Sequence, residues 1–160
     1  PYFHHKQLLS PPIRRAAYSD RTAWLMAEMS RLAYLKFENS TDELKVALAK
    51  AGFTLIEPCF NTNGTQAFLA KREEDKMAVL AFRGTEKEDP RDIIADLQAR
   101  FYKDKNGARL HNGFYKAYQA VDTAIQAEAK ALGDYALYVT GHALGGALAI
   151  MATRALYSYH

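Results

Sequence analysis

Gly141-His142-Ala143-Leu144-Gly145 is the stretch of this sequence whose residue types and spacing point most directly to chemistry. Ahead of it, Tyr135 to Thr140 alternates and is rich in aromatic and β-branched residues, the pattern of a buried strand. From Leu144 onward Ala, Leu, Ile and Met dominate, which suits a helix. A strand that becomes a helix within three residues turns sharply, and its middle residue is held in a sparsely populated backbone region at a cost of roughly 1–3 kcal/mol. Gly141 and Gly145 stand two positions either side of residue 143 and remove side chains that would collide at the bend. A turn of this kind, G-x-S-x-G, presents a serine hydroxyl for attack on a carbonyl carbon. Here the apex is Ala143. A methyl group has no lone pair and no proton to surrender, so the chain as it stands forms no acyl-enzyme.

The elements that must position this bend follow from periodicity. Apolar residues at helical spacing predict a helix from Asp20 to about Phe37, capped by Ser19 or Asp20. Ser40-Thr41-Asp42-Glu43 is a capping-box signature, and Gly52 suits the far end of the short helix it opens. Phe53–Phe60 reads as a strand, residues 61–64 as a turn and Gln66–Lys71 as the hairpin partner. Lys71–Lys76 reads as a solvated charged connector. Met77–Phe82 is a short apolar strand ending in Arg83-Gly84-Thr85. Pro90 fits a first helical position, with Ile93, Ile94, Leu97 and Phe101 following at helical spacing. After a charged loop at Lys103–Arg109, His111-Asn112-Gly113 precedes a long helix whose Phe114, Tyr118, Val121 and Ile125 share one face and which Gly133 terminates. The last helix runs to about Tyr157. Strands alternating with helices predict an α/β protein whose mostly parallel central sheet is covered by helices on both faces.

At 160 residues the chain is sized for one domain with a real core, and 49% hydrophobic with 24% charged residues is the profile of a globular protein. The net charge of +3 is spread along the chain, which argues against a nucleic-acid partner. No run of 18 apolar residues exists, so no transmembrane segment is expected. The start lacks both a signal-peptide pattern and an initiator Met. The lone Cys59 forms no internal disulfide and is compatible with cytoplasmic synthesis, or with export by a route without a cleaved signal, so localisation stays open. His4 and His5 have no further ligand at useful spacing, and no metal site is expected. Gly141, Gly145 and Gly146 do not make the G-x-G-x-x-G spacing of a dinucleotide fold.

Three stretches taken together resemble the class 3 lipases of the α/β-hydrolase superfamily. They are Phe82-Arg83-Gly84-Thr85, His111-Asn112-Gly113-Phe114 and the run from Gly141 to Ala149, with Asp92-Ile93-Ile94-Ala95-Asp96-Leu97 between the first two. The resemblance covers most of residues 20–157. It implies a carboxyl-ester hydrolase of the lipase or phospholipase kind, acting on lipid or other apolar esters by a Ser-His-Asp mechanism with no cofactor. Position 143 is then the nucleophile site. Thr85 supplies the oxyanion hole through its backbone N–H and hydroxyl, and the backbone N–H of Leu144 is the second donor. Preset N–H groups near a helix N-terminus stabilise the charge that ester attack places on the carbonyl oxygen. The resemblance also implies a lid at about Glu86–Leu97 with Ile93, Ile94 and Leu97 on one side, although packing into the core accounts for those residues equally well.

In this superfamily the triad runs Ser, then Asp or Glu, then His along the chain. The acid and base are therefore expected beyond His160, and residues 1–160 are expected to be the N-terminal portion of a single lipase domain. The remainder, downstream or as a separate chain, would pair the sheet edge left open here. His142, His111 and Asp96 read as packing or hydrogen-bonding residues rather than triad members. Two further readings stay open. One is a natural pseudoenzyme that uses the fold to bind lipid or a protein; the other is an antibacterial lipase effector with an immunity protein as partner.

Overall fold

The computed structural model describes residues 20–62, 65–84, 107–141, 149, 152, 153 and 156, with residues 107–117 described by their backbone alone. The elements in chain order are α1 (Asp20–Leu32), α2 (Asp42–Lys50), β1 (Thr54–Thr62), β2 (Thr65–Arg72), β3 (Met77–Phe82), α3 (Gly107–Leu132) and β4 (Ala136–Gly141). The strands form one sheet in the order β1-β2-β3-β4. The first two pairings are antiparallel and the β3–β4 pairing is parallel, so this part of the sheet is mixed.

Every residue of β3 is buried, because the strand is covered on both faces. Met77, Val79 and Ala81 point into a core formed with α1 and α2, while Ala78, Leu80 and Phe82 point into a second core under α3. That is why its sequence is a continuous apolar run rather than an alternation. On α3 the buried Tyr118, Val121, Ile125, Ala129 and Leu132 recur every three or four residues, one face of a helix. On α1 the buried Leu25, Met29 and Leu32 do the same, and Trp24 packs half-buried against that core. Burying each of these large side chains contributes roughly 1.5–3 kcal/mol. Helices thus flank both faces of the sheet, as periodicity predicts.

Four expectations are corrected. The first helix stops at Leu32 instead of Phe37. Continuing it would need the Ala33 carbonyl to accept from Phe37, but the Phe37 N–H donates to Leu35 O at 2.8 Å and Arg83 takes the Ala33 carbonyl at 2.7 Å. The capping box does not form: Thr41 is the N-cap, without a side-chain cap bond, and the Ser40 hydroxyl oxygen accepts from the N–H of Asp42 at 3.3 Å.

Residues 71–76 are not simply a solvated connector, because Lys71 and Arg72 extend β2. Arg72 is only 4% exposed. It makes two bonds to the Asp75 carboxylate at 3.1 and 3.0 Å, donates to Ala51 O at 3.0 Å and lies 4.7 Å from the centre of the Phe53 ring. Finally, α3 begins at Gly107, so His111-Asn112-Gly113 lies within the helix rather than ahead of it. Once its apolar stripe is docked, each residue added at the N-terminal end gains a backbone hydrogen bond, which outweighs the ~1 kcal/mol cost of an interior glycine.

The β4 strand is half-buried along most of its length, and among the described residues no strand pairs with its outer side. A cavity of about 460 Å³ lies against Tyr135, Leu137, Val139, Thr153 and Leu156.

Two glycines hold left-handed backbone, Gly52 at φ +82 and Gly133 at φ +65. A Cβ on Gly133 meets nothing within 4 Å, whereas one on Gly52 would lie 3.2 Å from Cδ of Arg72. Gly133→Ala should therefore cost only the backbone term, about 1–2 kcal/mol. Gly52→Ala should cost more, because the buried Arg72 has to shift. Urea midpoints of the two variants check the order.

Candidate active site

The parallel pairing of β3 with β4 runs in register from Met77 opposite Ala136 to Phe82 opposite Gly141. Both strands therefore end at the same level, about 4.8 Å apart. Arg83-Gly84 follows one strand end, and the sequence leading to position 143 follows the other. In open α/β sheets ligands bind beyond the carboxyl ends of parallel strands. The structure brings together the two strand ends that lead into the expected oxyanion and nucleophile segments, with Gly141 closing β4. Thr85, Ile93, Ile94, Leu97, Ala143, Leu144 and Gly145 lie outside the described residues, as do Asp96 and His142.

Around these strand ends sit polar groups that local sequence pattern did not reveal. Arg83 is 5% exposed. Its backbone N–H donates to Gln66 O at 2.8 Å. Its guanidinium donates from Nε to Ala33 O at 2.7 Å, from Nη2 to Leu35 O at 2.6 Å, and from both terminal nitrogens to the Glu38 carboxylate at 2.6 and 2.8 Å. Its carbon Cζ stands 4.6 Å from the centre of the Phe37 ring. A forked donor against a carboxylate is a strong and directional arrangement. The Arg83 hydrogen bonds hold the Glu38 carboxyl down at about 2 against an ordinary 4.5, with the charges of Arg83 and Lys36 adding in the same direction.

At the end of β4, Thr140 Oγ1 lies 2.7 Å from Ser30 Oγ and 3.3 Å from Met26 O. A threonine hydroxyl has one proton and a carbonyl only accepts, so Thr140 donates to Met26 and Ser30 donates to Thr140. These partners are separated by 45 and 110 residues, too far for any local motif to announce them.

Behind Phe82, the Tyr118 ring packs edge-on at 6.4 Å between centroids. Among the described residues its buried hydroxyl makes no hydrogen bond of ordinary geometry. Burial, with Asp122 one turn away, pushes its proton affinity upward, so it stays a neutral phenol. Burial likewise raises the Cys59 thiol to about 11, with Glu57 adding to the effect. Cys59 is therefore no thiolate nucleophile at neutral pH. Among the described residues no group of three or more His, Cys, Asp or Glu is placed to hold a metal ion, and no helix is long and apolar enough to cross a membrane.

A partial sheet flanked by helices, with two motif-bearing strands ending side by side, is the architecture of an α/β-hydrolase. Over residues 79–159 the sequence matches the family described as lipase (class 3). The chain belongs to the class 3 lipase family. It is 35% identical to the lipase of Rhizopus niveus over 99 residues, 58% of this chain and 25% of that protein. It is 33% identical to the lipase of Rhizomucor miehei over 125 residues, 74% of this chain and 32% of that protein. The chain thus spans a quarter to a third of the length of these curated relatives. In three dimensions it is similar to the crystal structure of the lipase from Rhizopus microsporus var. chinensis, with a TM-score of 0.63, 25% identity, and coverage of 92% of this chain and 57% of that one.

Two measurements probe the site's supports. Thr140→Val leaves the Ser30 hydroxyl without its acceptor and should cost about 1–3 kcal/mol. The Ser30→Ala/Thr140→Val double variant should cost less than the sum of its parts, a coupling that a urea double-mutant cycle reads directly. Glu38 has its carboxyl depressed in the folded state, so its contribution is complete above pH 4.5 and is lost as pH falls towards 2. A Glu38→Gln variant should be less stable at neutral pH by about 1.5–3 kcal/mol. Its stability profile should lack the component that the parent loses across that acid window.

Proposed function

We propose that the protein is a carboxyl-ester hydrolase of the lipase or phospholipase kind, working by a Ser-His-Asp mechanism whose nucleophile site is position 143. The observation that carries this reading is the pairing of Phe82 with Gly141 on adjacent parallel strands, in a chain whose residues 79–159 match the class 3 lipases. With a serine at position 143, its oxygen attacks the ester carbonyl carbon while a histidine takes the hydroxyl proton. The backbone N–H groups of Thr85 and Leu144 receive the developing oxyanion, the contribution that is often largest in acyl transfer. The histidine then protonates the departing alcohol, and water releases the acid from the acyl-enzyme by the same steps. We place the histidine and its orienting acid downstream of the bend, following the chain order of the superfamily. The present chain has Ala at position 143, so it is proposed to bind its ester without turning it over.

Ala143 also favours a second reading, in which the fold binds lipid or protein without catalysis. Ala143→Ser in the complete protein separates the two, assayed with p-nitrophenyl butyrate and a tributyrin emulsion. The hydrolase reading expects turnover to rise by roughly 10⁶ over the Ala form, the order lost when a triad serine is removed. A Ser form with correct folding and no hydrolysis of either ester overturns it.

A further inference from the structure

Both strand ends at the candidate site are tied to one stretch of chain, α1 and the turns that follow it. Thr140 reaches Met26 and Ser30, while Arg83 reaches Ala33, Leu35 and Glu38. We propose that Arg83, clamped by Glu38, is a positioning residue that sets the point from which Gly84 and Thr85 leave the sheet relative to position 143. The proposal rests on the hydrolase reading for its catalytic consequence, though not for its structural one.

Its chemistry argues for geometry over stability. A buried ion pair costs desolvation on both partners, and well-packed apolar groups in its place are often as stable or more so. What apolar packing does not supply is direction. Four donated bonds from one planar group, on two carbonyls and a carboxylate, leave the backbone at Arg83 little freedom to slide or rotate. An oxyanion-hole donor displaced by about 1 Å loses roughly 10² in rate. The guanidinium itself is buried, with its bonds directed towards residues 33–38, so any effect on catalysis is transmitted through the chain.

The fold contains its own control. Arg72 forms a comparable buried pair with Asp75, donates to Ala51 O and lies against Phe53. It sits at the opposite end of the sheet, since Arg72 is paired with Met77 and Ala67 with Phe82. Five residues of strand separate the two levels, about 17 Å. If buried arginine pairs matter only for stability, disrupting either should act alike. A positioning role predicts that only the Arg83 pair affects the site.

The test compares Glu38→Gln, Glu38→Asp and Asp75→Asn, each in the protein carrying Ala143→Ser, using p-nitrophenyl butyrate hydrolysis and amide hydrogen exchange of peptides covering residues 83–88. Glu38→Gln should lower kcat at least about tenfold with KM changed less than about twofold, Glu38→Asp should recover part of the loss, and Asp75→Asn should leave kcat within about twofold. Exchange at residues 84–86 should accelerate in Glu38→Gln and not in Asp75→Asn. Equal kcat losses in Glu38→Gln and Asp75→Asn, or unchanged exchange at 84–86 in Glu38→Gln, overturn the proposal. If Ala143→Ser proves inactive, the hydrolase reading fails by itself, and the exchange comparison still decides the positioning role. Should Glu38→Gln fail to fold, Arg83→Lys takes its place: it keeps the charge, loses the fork, and is expected to show the same exchange pattern.

Discussion

The parallel pairing between β3 and β4 is the constraint on which the rest of this structure depends. It is specified by burial on both faces of β3, where Met77, Val79 and Ala81 face one core and Ala78, Leu80 and Phe82 face the other. A slip of one residue would exchange those two sets and present each core with side chains of the wrong volume. The register is therefore held tightly. Because it ends with Phe82 opposite Gly141, two segments far apart in the chain begin side by side at one end of the sheet. A site assembled from separate strand ends needs this before any chemistry is available to it.

Apolar burial fixes the sheet, but it is indifferent to small displacements at the strand ends, where the packing stops. Directional bonds take over at that level. The Arg83 fork and the Ser30–Thr140–Met26 chain hold the ends of the two strands against α1 and the turns that follow it. The helix that supplies Met26 and Ser30 ends early because Arg83 claims a carbonyl the helix would otherwise use. Helix length and strand-end position are thus coupled outcomes of one polar cluster.

Much of the fold was legible in the sequence. Met77–Phe82 reads as a buried strand from its unbroken apolar run, and the stripe at Tyr118, Val121 and Ile125 identifies the face of α3 that packs on the sheet. Gly133 ends that helix with the positive φ its position suggests. The misreadings share a cause. Lys71–Lys76 looks solvated by composition, yet Arg72 is buried because Asp75 and Ala51 satisfy its donors. The end of α1 and the failed capping box on Ser40 likewise follow from tertiary or alternative local bonds that compete with the helix signal. At the site, the Phe82-Arg83-Gly84-Thr85 and Gly-x-Ala-x-Gly patterns each start at the end of a strand, and the structure places those two strand ends, Phe82 and Gly141, side by side. Glu38, Ser30 and Thr140 carried no signal, because a hydrogen bond across 45 or 110 residues leaves no periodicity to read.

Trp24 is the sole tryptophan of the chain. It lies on α1, packed half-buried against the core shared by α1, α2 and the sheet. The segment that braces both strand ends therefore carries an intrinsic optical reporter. Indole emission tracks the polarity around this one ring, so it distinguishes a seated α1 from a detached one without labelling. Loosening of that helix can be followed separately from loss of the sheet, which the backbone's far-ultraviolet dichroism records.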